Sequence, residues 1–203
     1  MSALPAAARA APLPWRLLSV LLGVLAMLGW GIEPGILDWQ RALLLTQPWR
    51  LFSAVGVHYS PAHLLLNLAG LAGVAALGAV ARIDSAPAWA WVAAWPLTQL
   101  GLLVDPDLAH YGGLSGVLHA GVAIVAIHLL RGAASRERRI GAAIVLGLAL
   151  KVGLEFPWSP PTLHPALQIM VTPLAHVSGL VAGLACGGAV HLLARRNSRR
   201  RDA

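Results

Sequence analysis

The sequence contains little charge and almost no cysteine. Only 11% of its 203 residues are Asp, Glu, Lys or Arg, whereas 58% are hydrophobic, and the mean hydropathy is +0.70. A soluble domain carries about 25% charged residues, so this composition excludes a soluble enzyme and indicates a membrane protein. Cys186 is the only cysteine, so no disulfide can form within the chain and thiol chemistry is not expected.

Acidic residues are also scarce, with eight against fifteen basic ones and a net charge of +7. A nucleic-acid-binding protein would cluster its basic residues on a soluble motif, and none is present, so nucleic acid is not an expected partner. The basic excess instead indicates orientation. With the N-terminus inside, all basic residues fall in inner segments except Arg41, Arg50 and Lys151. The positive-inside rule therefore predicts a multi-pass membrane protein with both termini cytoplasmic. The membrane expected for it is a bacterial-type inner membrane.

Apolar runs separated by proline, glycine and charge predict an all-α, polytopic bundle of six transmembrane helices, which forms a single membrane domain over residues 1–203. The first run is too long for a signal peptide and is interpreted as an uncleaved span. Residues 1–14 are then a cytoplasmic segment, residues 33–61 an amphipathic outer loop at the interface, and residues 195–203 a basic cytoplasmic tail that contacts membrane lipid. The predicted spans are 15–32, 62–81, 87–104, 113–131, 140–154 and 171–194.

Polar side chains inside these spans are costly and are therefore candidates for function. The second, fourth and sixth helices run inward from the outer face, and His63, Asn67, Ser115 and His176 each lie within the first turn or two of one of them. At a rise of about 1.5 Å per residue, three helices then bring these four side chains to one layer near the outer face. Taken alone, His63 and Asn67 are equally compatible with a structural interhelical hydrogen bond.

Small residues predict how the fourth and sixth helices pack. Glycine recurs every four residues in the sixth helix, and the fourth helix has a matching row, a pattern typical of close helix packing. Because His176 lies three residues before Gly179, contact between the two faces would bring His176 to Ser115. The two rows are Gly179, Gly183 and Gly187, and Gly112, Gly116 and Ala120.

A serine next to a histidine in a water-poor site is a nucleophile with its general base. Gly113 and Gly116 flank the serine, where they permit a tight turn at a helix N-terminus whose dipole favours an oxyanion. The N–H groups of Leu114 and Ser115 are candidate donors to that oxyanion.

The side chains of His63 and Asn67 are further candidate donors. Asp105 and Asp107 lie in a loop, so no aspartate within the membrane is expected to orient His176. The residues therefore predict a Ser–His dyad and not a triad.

Three segments, 49–67, 113–116 and 175–183, resemble the rhomboid family of intramembrane serine proteases. They occur in order, and the resemblance covers the six-helix core. It implies a rhomboid-like fold in which Ser115 is the nucleophile, His176 is the general base, and His63 and Asn67 stabilise the oxyanion.

One position departs from many rhomboids, because His119 stands where a tyrosine is frequent. Together with Lys151 and Glu155, late in the fifth helix, His119 is similar to the rhombosortase branch. That resemblance implies substrates with a C-terminal Gly-Gly motif, an apolar span and a basic tail, the GlyGly-CTERM arrangement. His119 is expected to pack near His176. Lys151 and Glu155 are expected either to form an ion pair or to face the substrate.

Two other functions stay open. A non-catalytic relative that binds transmembrane helices would be expected to lack Ser115 or His176, and both are present. A haem-binding protein is compatible with eight histidines, since His63 and His176 share a depth. No cofactor is expected for a serine protease, and no metal is expected because the chain contains no His-Glu-x-x-His motif. His58 lies in an outer loop and is expected to be solvated.

Overall fold

The protein is mostly helical in the computed structural model, which describes residues 13–201, with side chains as far as residue 194. Six helices of sixteen residues or more correspond one to one to the six predicted apolar runs. Among the described residues, α2 and the Leu174–Ala194 part of α6 are long and apolar enough to cross a membrane by length and composition, while α1 and α4 are apolar but shorter. The helices are α1 Leu13–Gly29, α2 Pro61–Val80, α3 Ser85–Leu100, α4 Ser115–Leu130, α5 Ser135–Leu154 and α6 Leu174–Arg201.

The starts of two helices, α5 and α6, differ from the sequence prediction by three residues or more, for identifiable reasons. α5 begins five residues earlier than predicted, because residues 135–139 include arginines and a glutamate, which are good helix formers despite being polar. Glu137 supports this start by accepting the Ala134 N–H at 3.4 Å. α6 begins three residues later than predicted, because Val171 belongs to a strand and Pro173 precedes the helix.

Short elements connect the long helices, and the all-α prediction missed the strands among them. Runs of two or three residues are too short to give a periodic signal. The strands β1 Trp39–Gln40 and β2 His110–Tyr111 pair antiparallel, as do β3 Thr162–His164 and β4 Ile169–Val171. One-turn α-helices occupy Pro34–Leu37 and Arg50–Ser53, and 3-10 turns occupy Arg41–Leu43, Ala54–Gly56 and Gly101–Val104.

α4 lies at the centre of the bundle, where it packs against α2, α3, α5 and α6. Its contact with α6 is made by small residues. A Cβ at Gly179 would collide with the Gly116 carbonyl, and one at Gly183 would collide with the Ala120 carbonyl. The predicted packing of two small-residue faces is therefore confirmed, with one correction: Gly112 lies before α4 and packs against Val57.

A buried ion pair holds the segment between α1 and α2 together, and hydrogen bonds join this segment to the chain before α4. Arg50 Nη1 lies 3.1 Å from the carboxylate of Asp38, and both side chains are buried. His110 Nδ1 lies 2.7 Å from the other oxygen of Asp38, next to the β1–β2 pairing. The Ala54 carbonyl accepts the Gly113 N–H at 2.9 Å. These contacts fix the chain immediately before α4, where Ser115 lies.

Candidate active site

Ser115 is the first residue of α4, and the turn before it requires glycine. Gly113 has φ +141°, a conformation that side chains with a Cβ rarely adopt. A Cβ at this position would also lie 3.2 Å from the ring of His63. The Leu114 side chain is fully buried. The backbone on the N-terminal side of Ser115 is therefore held in one conformation.

His176 lies in the first turn of α6 and contacts Ser115, as the packing of the small-residue rows predicted. The distance from His176 Nε2 to Ser115 Oγ is 2.9 Å. The close approach at Gly179 and Gly116 makes this possible, since any larger residue would separate the two helices. The arrangement suits proton transfer from the hydroxyl to the imidazole.

The prediction of a Ser–His dyad without an orienting carboxylate is wrong. His176 Nδ1 lies 2.6 Å from Oε2 of Glu155, which follows the last residue of α5. No sequence pattern indicates that this turn faces α6, because only tertiary packing sets its direction. Burial opposes ionisation of Glu155, but hydrogen bonds and charges from His176 and Lys151 lower its pKa to about 2. Ser115, His176 and Glu155 thus have the connectivity of a triad.

His119 and Lys151 complete the surroundings of His176. The rings of His119 and His176 stack with centroids 4.2 Å apart and an interplanar angle of 15°, so the expected packing of these two side chains is present. His119 Nδ1 lies 2.7 Å from the Ser115 carbonyl oxygen. Lys151 Nζ lies 3.0 Å from His119 Nε2 and 2.5 Å from Glu155 Oε1, so the predicted ion pair between Lys151 and Glu155 is present.

His63 and Asn67 lie one turn apart on α2, and both are buried. They line the same cavity as Ser115 and His176. Within the described part of the chain, Nδ1 of His63 is buried without a hydrogen-bond partner. The N–H groups of Leu114 and Ser115 are at the N-terminus of α4, where no acceptor inside the helix exists. These groups are placed to serve as donors to a ligand oxygen.

His58 is a residue for which the sequence-based expectation is wrong. Its side chain is 5% exposed and not solvated, and its ring centroid lies 4.9 Å from that of His63. Burial lowers its pKa below the usual 6.5, with the Gly56 carbonyl opposing this shift. A short loop directly before an N-capped helix carries no signal that distinguishes a buried histidine from an exposed one.

The cavity above Ser115 has a volume of about 1010 Å³, which is large enough for a peptide segment. Side chains of α2, α4 and α5, the β4 strand and the loop after α3 form its walls, and Lys151 is among them. Among the described residues, no group of three His, Cys, Asp or Glu side chains is arranged to hold a metal ion. Both ring nitrogens of His176 are already engaged, by Ser115 and Glu155.

The family model of the Rhomboid domain matches residues 45–192, which include every residue of the site described above. No curated protein matches the chain.

Proposed function

This chain belongs to the rhomboid family, and we propose on that premise that it is a serine endopeptidase for membrane-tethered exported proteins. The family match itself indicates an intramembrane protease. The observation that carries the proposal is the 2.9 Å contact between Ser115 Oγ and His176 Nε2 in an apolar, peptide-sized cavity. A non-catalytic relative would have no need to keep this contact.

The reaction starts when Ser115 Oγ attacks the carbonyl carbon of the scissile bond and His176 Nε2 takes the hydroxyl proton. The N–H groups of Leu114 and Ser115 and the side chains of His63 and Asn67 stabilise the oxyanion that forms. His176 then gives the proton to the leaving amine as the C–N bond breaks. A water molecule hydrolyses the acyl-enzyme by the same steps in reverse order.

The proposed substrates carry a C-terminal Gly-Gly motif followed by an apolar span and a basic tail, and cleavage occurs at the Gly-Gly site. A helix must unwind locally before a serine can reach its backbone, and each glycine lowers helix stability by up to about 1 kcal/mol. A Gly-Gly pair therefore exposes its peptide bonds at lower cost than the apolar residues around it. Resemblance to the rhombosortase branch at His119, Lys151 and Glu155 supports this choice.

In the proposed arrangement, all six long helices cross a bacterial-type inner membrane, both termini are cytoplasmic and the site lies near the outer face. Single cysteines test it in a Cys186→Ser background. Asp107→Cys should react with a membrane-impermeant maleimide added outside, and Ser135→Cys should react only after the membrane is opened. Both positions are exposed in the structure. The reverse pattern would contradict the orientation.

The activity is tested by co-expressing the protein with a reporter that ends in Gly-Gly, an apolar span and a basic tail. The wild type should release the reporter from the membrane, and Ser115→Ala should not. A second reporter with Val-Val in place of Gly-Gly controls for the motif. Equal processing by the wild type and Ser115→Ala would contradict the protease assignment. Equal processing of the two reporters would contradict only the assignment of the Gly-Gly site.

A further inference from the structure

Five hydrogen bonds join the side chains around Ser115 into a closed ring. Ser115 Oγ meets His176 Nε2 at 2.9 Å, and His176 Nδ1 meets Glu155 Oε2 at 2.6 Å. The other oxygen of Glu155 accepts from Lys151 Nζ at 2.5 Å. Lys151 Nζ also meets His119 Nε2 at 3.0 Å, and His119 Nδ1 meets the Ser115 carbonyl at 2.7 Å. The ring therefore begins and ends at Ser115.

The chemistry of each group fixes the direction of these bonds. An ammonium group only donates and an ionised carboxylate only accepts, so Lys151 donates both to Glu155 and to His119 Nε2. The proton of His119 is then on Nδ1, which donates to the Ser115 carbonyl. Glu155 in the same way requires the proton of His176 on Nδ1, which leaves Nε2 free to accept from the hydroxyl. All five bonds can form together when His119 and His176 are both neutral and each carries its ring proton on Nδ1.

We propose that Glu155 is a positioning residue that holds His176 in the tautomer able to take the Ser115 proton, and that Lys151 keeps Glu155 ionised and in place. The inference rests on the proposed protease function and replaces the expected dyad by a carboxylate-assisted one. As the bond from Ser115 Oγ to the substrate carbonyl carbon forms, the hydroxyl proton moves to Nε2. The Glu155 carboxylate stabilises the resulting imidazolium, which gives that proton to the leaving amine. Glu155 itself takes no proton.

Lys151 matters because the Glu155 side chain is partly buried, with 30% of it exposed. Without a neighbouring cation, burial favours the protonated form of a carboxylic acid. A protonated Glu155 would donate to Nδ1 of His176, so the ring proton would be on Nε2 and the imidazole could no longer accept from Ser115. The side chain of Lys151 is 49% exposed and lines the cavity, so the cation reaches Glu155 while remaining partly solvated.

The alternative role for this pair is recognition of the substrate. A residue that only binds substrate changes KM, whereas a residue that acts through the general base changes kcat. The contacts favour the second role, because both oxygens of Glu155 are already used, one by His176 and one by Lys151.

The test compares Glu155→Gln, Glu155→Asp and the wild type, with Glu33→Gln as a control that makes the same chemical change at an exposed acid. Two readouts are used: reporter cleavage, and the rate at which a fluorophosphonate labels Ser115, which needs no peptide substrate. We expect Glu155→Gln to lower kcat and the labelling rate by about 100-fold or more, with KM within about threefold. Glu155→Asp should recover part of the labelling rate, and Glu33→Gln should match the wild type.

Lys151→Met supplies the second step of the test. If Lys151 acts through Glu155, the double variant Lys151→Met/Glu155→Gln should be labelled no more slowly than Glu155→Gln alone. The reason is that the effects of residues that act as a unit are not additive. Lys151→Arg should keep most of the labelling rate. Additive losses would overturn the proposed role of Lys151.

The outcomes separate the inference from the function on which it rests. Labelling of Glu155→Gln at the wild-type rate, or a change in KM alone, would overturn the inference while cleavage by the wild type still stands. Absence of Ser115-dependent labelling in the wild type would overturn both. Should Glu155→Gln fail to fold, ¹⁵N resonances of His176 in the wild type decide the question, because a proton on Nε2 in place of Nδ1 contradicts the ring.

Discussion

The contact between Gly179 and Gly116 offers the sharpest test of how the fold positions His176 next to Ser115. A Cβ at Gly179 would collide with the Gly116 carbonyl, which is backbone and cannot rotate away. In Gly179→Ala, α6 must therefore move away from α4 by on the order of 1 Å. The His176–Ser115 contact, now 2.9 Å, would lengthen to about 3.9 Å, and a separation of 3.6 Å is already too long for a hydrogen bond.

Stability and activity should respond differently to this substitution. Overpacking costs about 1–3 kcal/mol, while alanine in place of glycine within a helix contributes about 1 kcal/mol. The net change in stability is thus about 0–2 kcal/mol, and the protein should still fold. A misplacement of about 1 Å at a reacting group can cost about 100-fold in rate, so cleavage should fall by at least that factor.

Gly188→Ala is the matched control, because it lies in the same helix and a Cβ there meets nothing within 4 Å. Both variants receive the same gain in helix propensity. Reporter cleavage and fluorophosphonate labelling should be normal in Gly188→Ala and strongly reduced in Gly179→Ala, with thermal unfolding measured for each. If Gly179→Ala cleaves within about threefold of Gly188→Ala, the close approach of the two helices is not what positions His176.

Three further predictions concern buried groups. Both polar atoms of the Gln99 side chain are buried without a hydrogen-bond partner in the described part of the chain. Gln99→Met should therefore raise the Tm by an amount that corresponds to about 1–3 kcal/mol. An unchanged Tm would show that the Gln99 amide has hydrogen-bond partners. Asp38→Asn leaves the buried Arg50 without its counter-ion and should lower the unfolding free energy by about 3–5 kcal/mol, measured by denaturant titration; a loss below about 1 kcal/mol would contradict this. Burial lowers the pKa of His58 in the folded protein, so the unfolded chain binds a proton at this histidine more readily. The unfolding free energy should therefore fall as the pH drops below about 6.5, and His58→Phe should reduce this fall. The same pH dependence in both proteins would refute the prediction.

The six helices and the convergence of Ser115 and His176 are predictable from the sequence alone. Both predictions rest on local sequence patterns. Long apolar runs form helices, and glycine at four-residue spacing permits close helix packing. The register of α4 against α6 follows from the same signals, since His176 and Gly179 share one face. The amino-acid pattern is therefore sufficient to predict which faces of α4 and α6 are in contact.

Glu155 and His58 cannot be placed by the same reasoning. Each lies in a short turn beside a helix end, where the direction of the chain depends on contacts distant in sequence. The Glu155 carboxylate reaches His176 only because α5 ends at Leu154 and the next residue turns towards α6. Sequence reasoning therefore does not predict the contact between this carboxylate and His176.

The order of the site residues along the chain has a consequence for how the protein is made. Ser115 is separated by 61 residues from His176, which lies on the last helix, and Glu155 comes only shortly before it. Chains are synthesised from the N-terminus, so a nascent chain that has just completed α4 carries Ser115 before His176 has been made. The hydroxyl stays an ordinary alcohol until the final helix packs. For the proposed mechanism this means that Ser115 can be activated only after α6 has packed against α4.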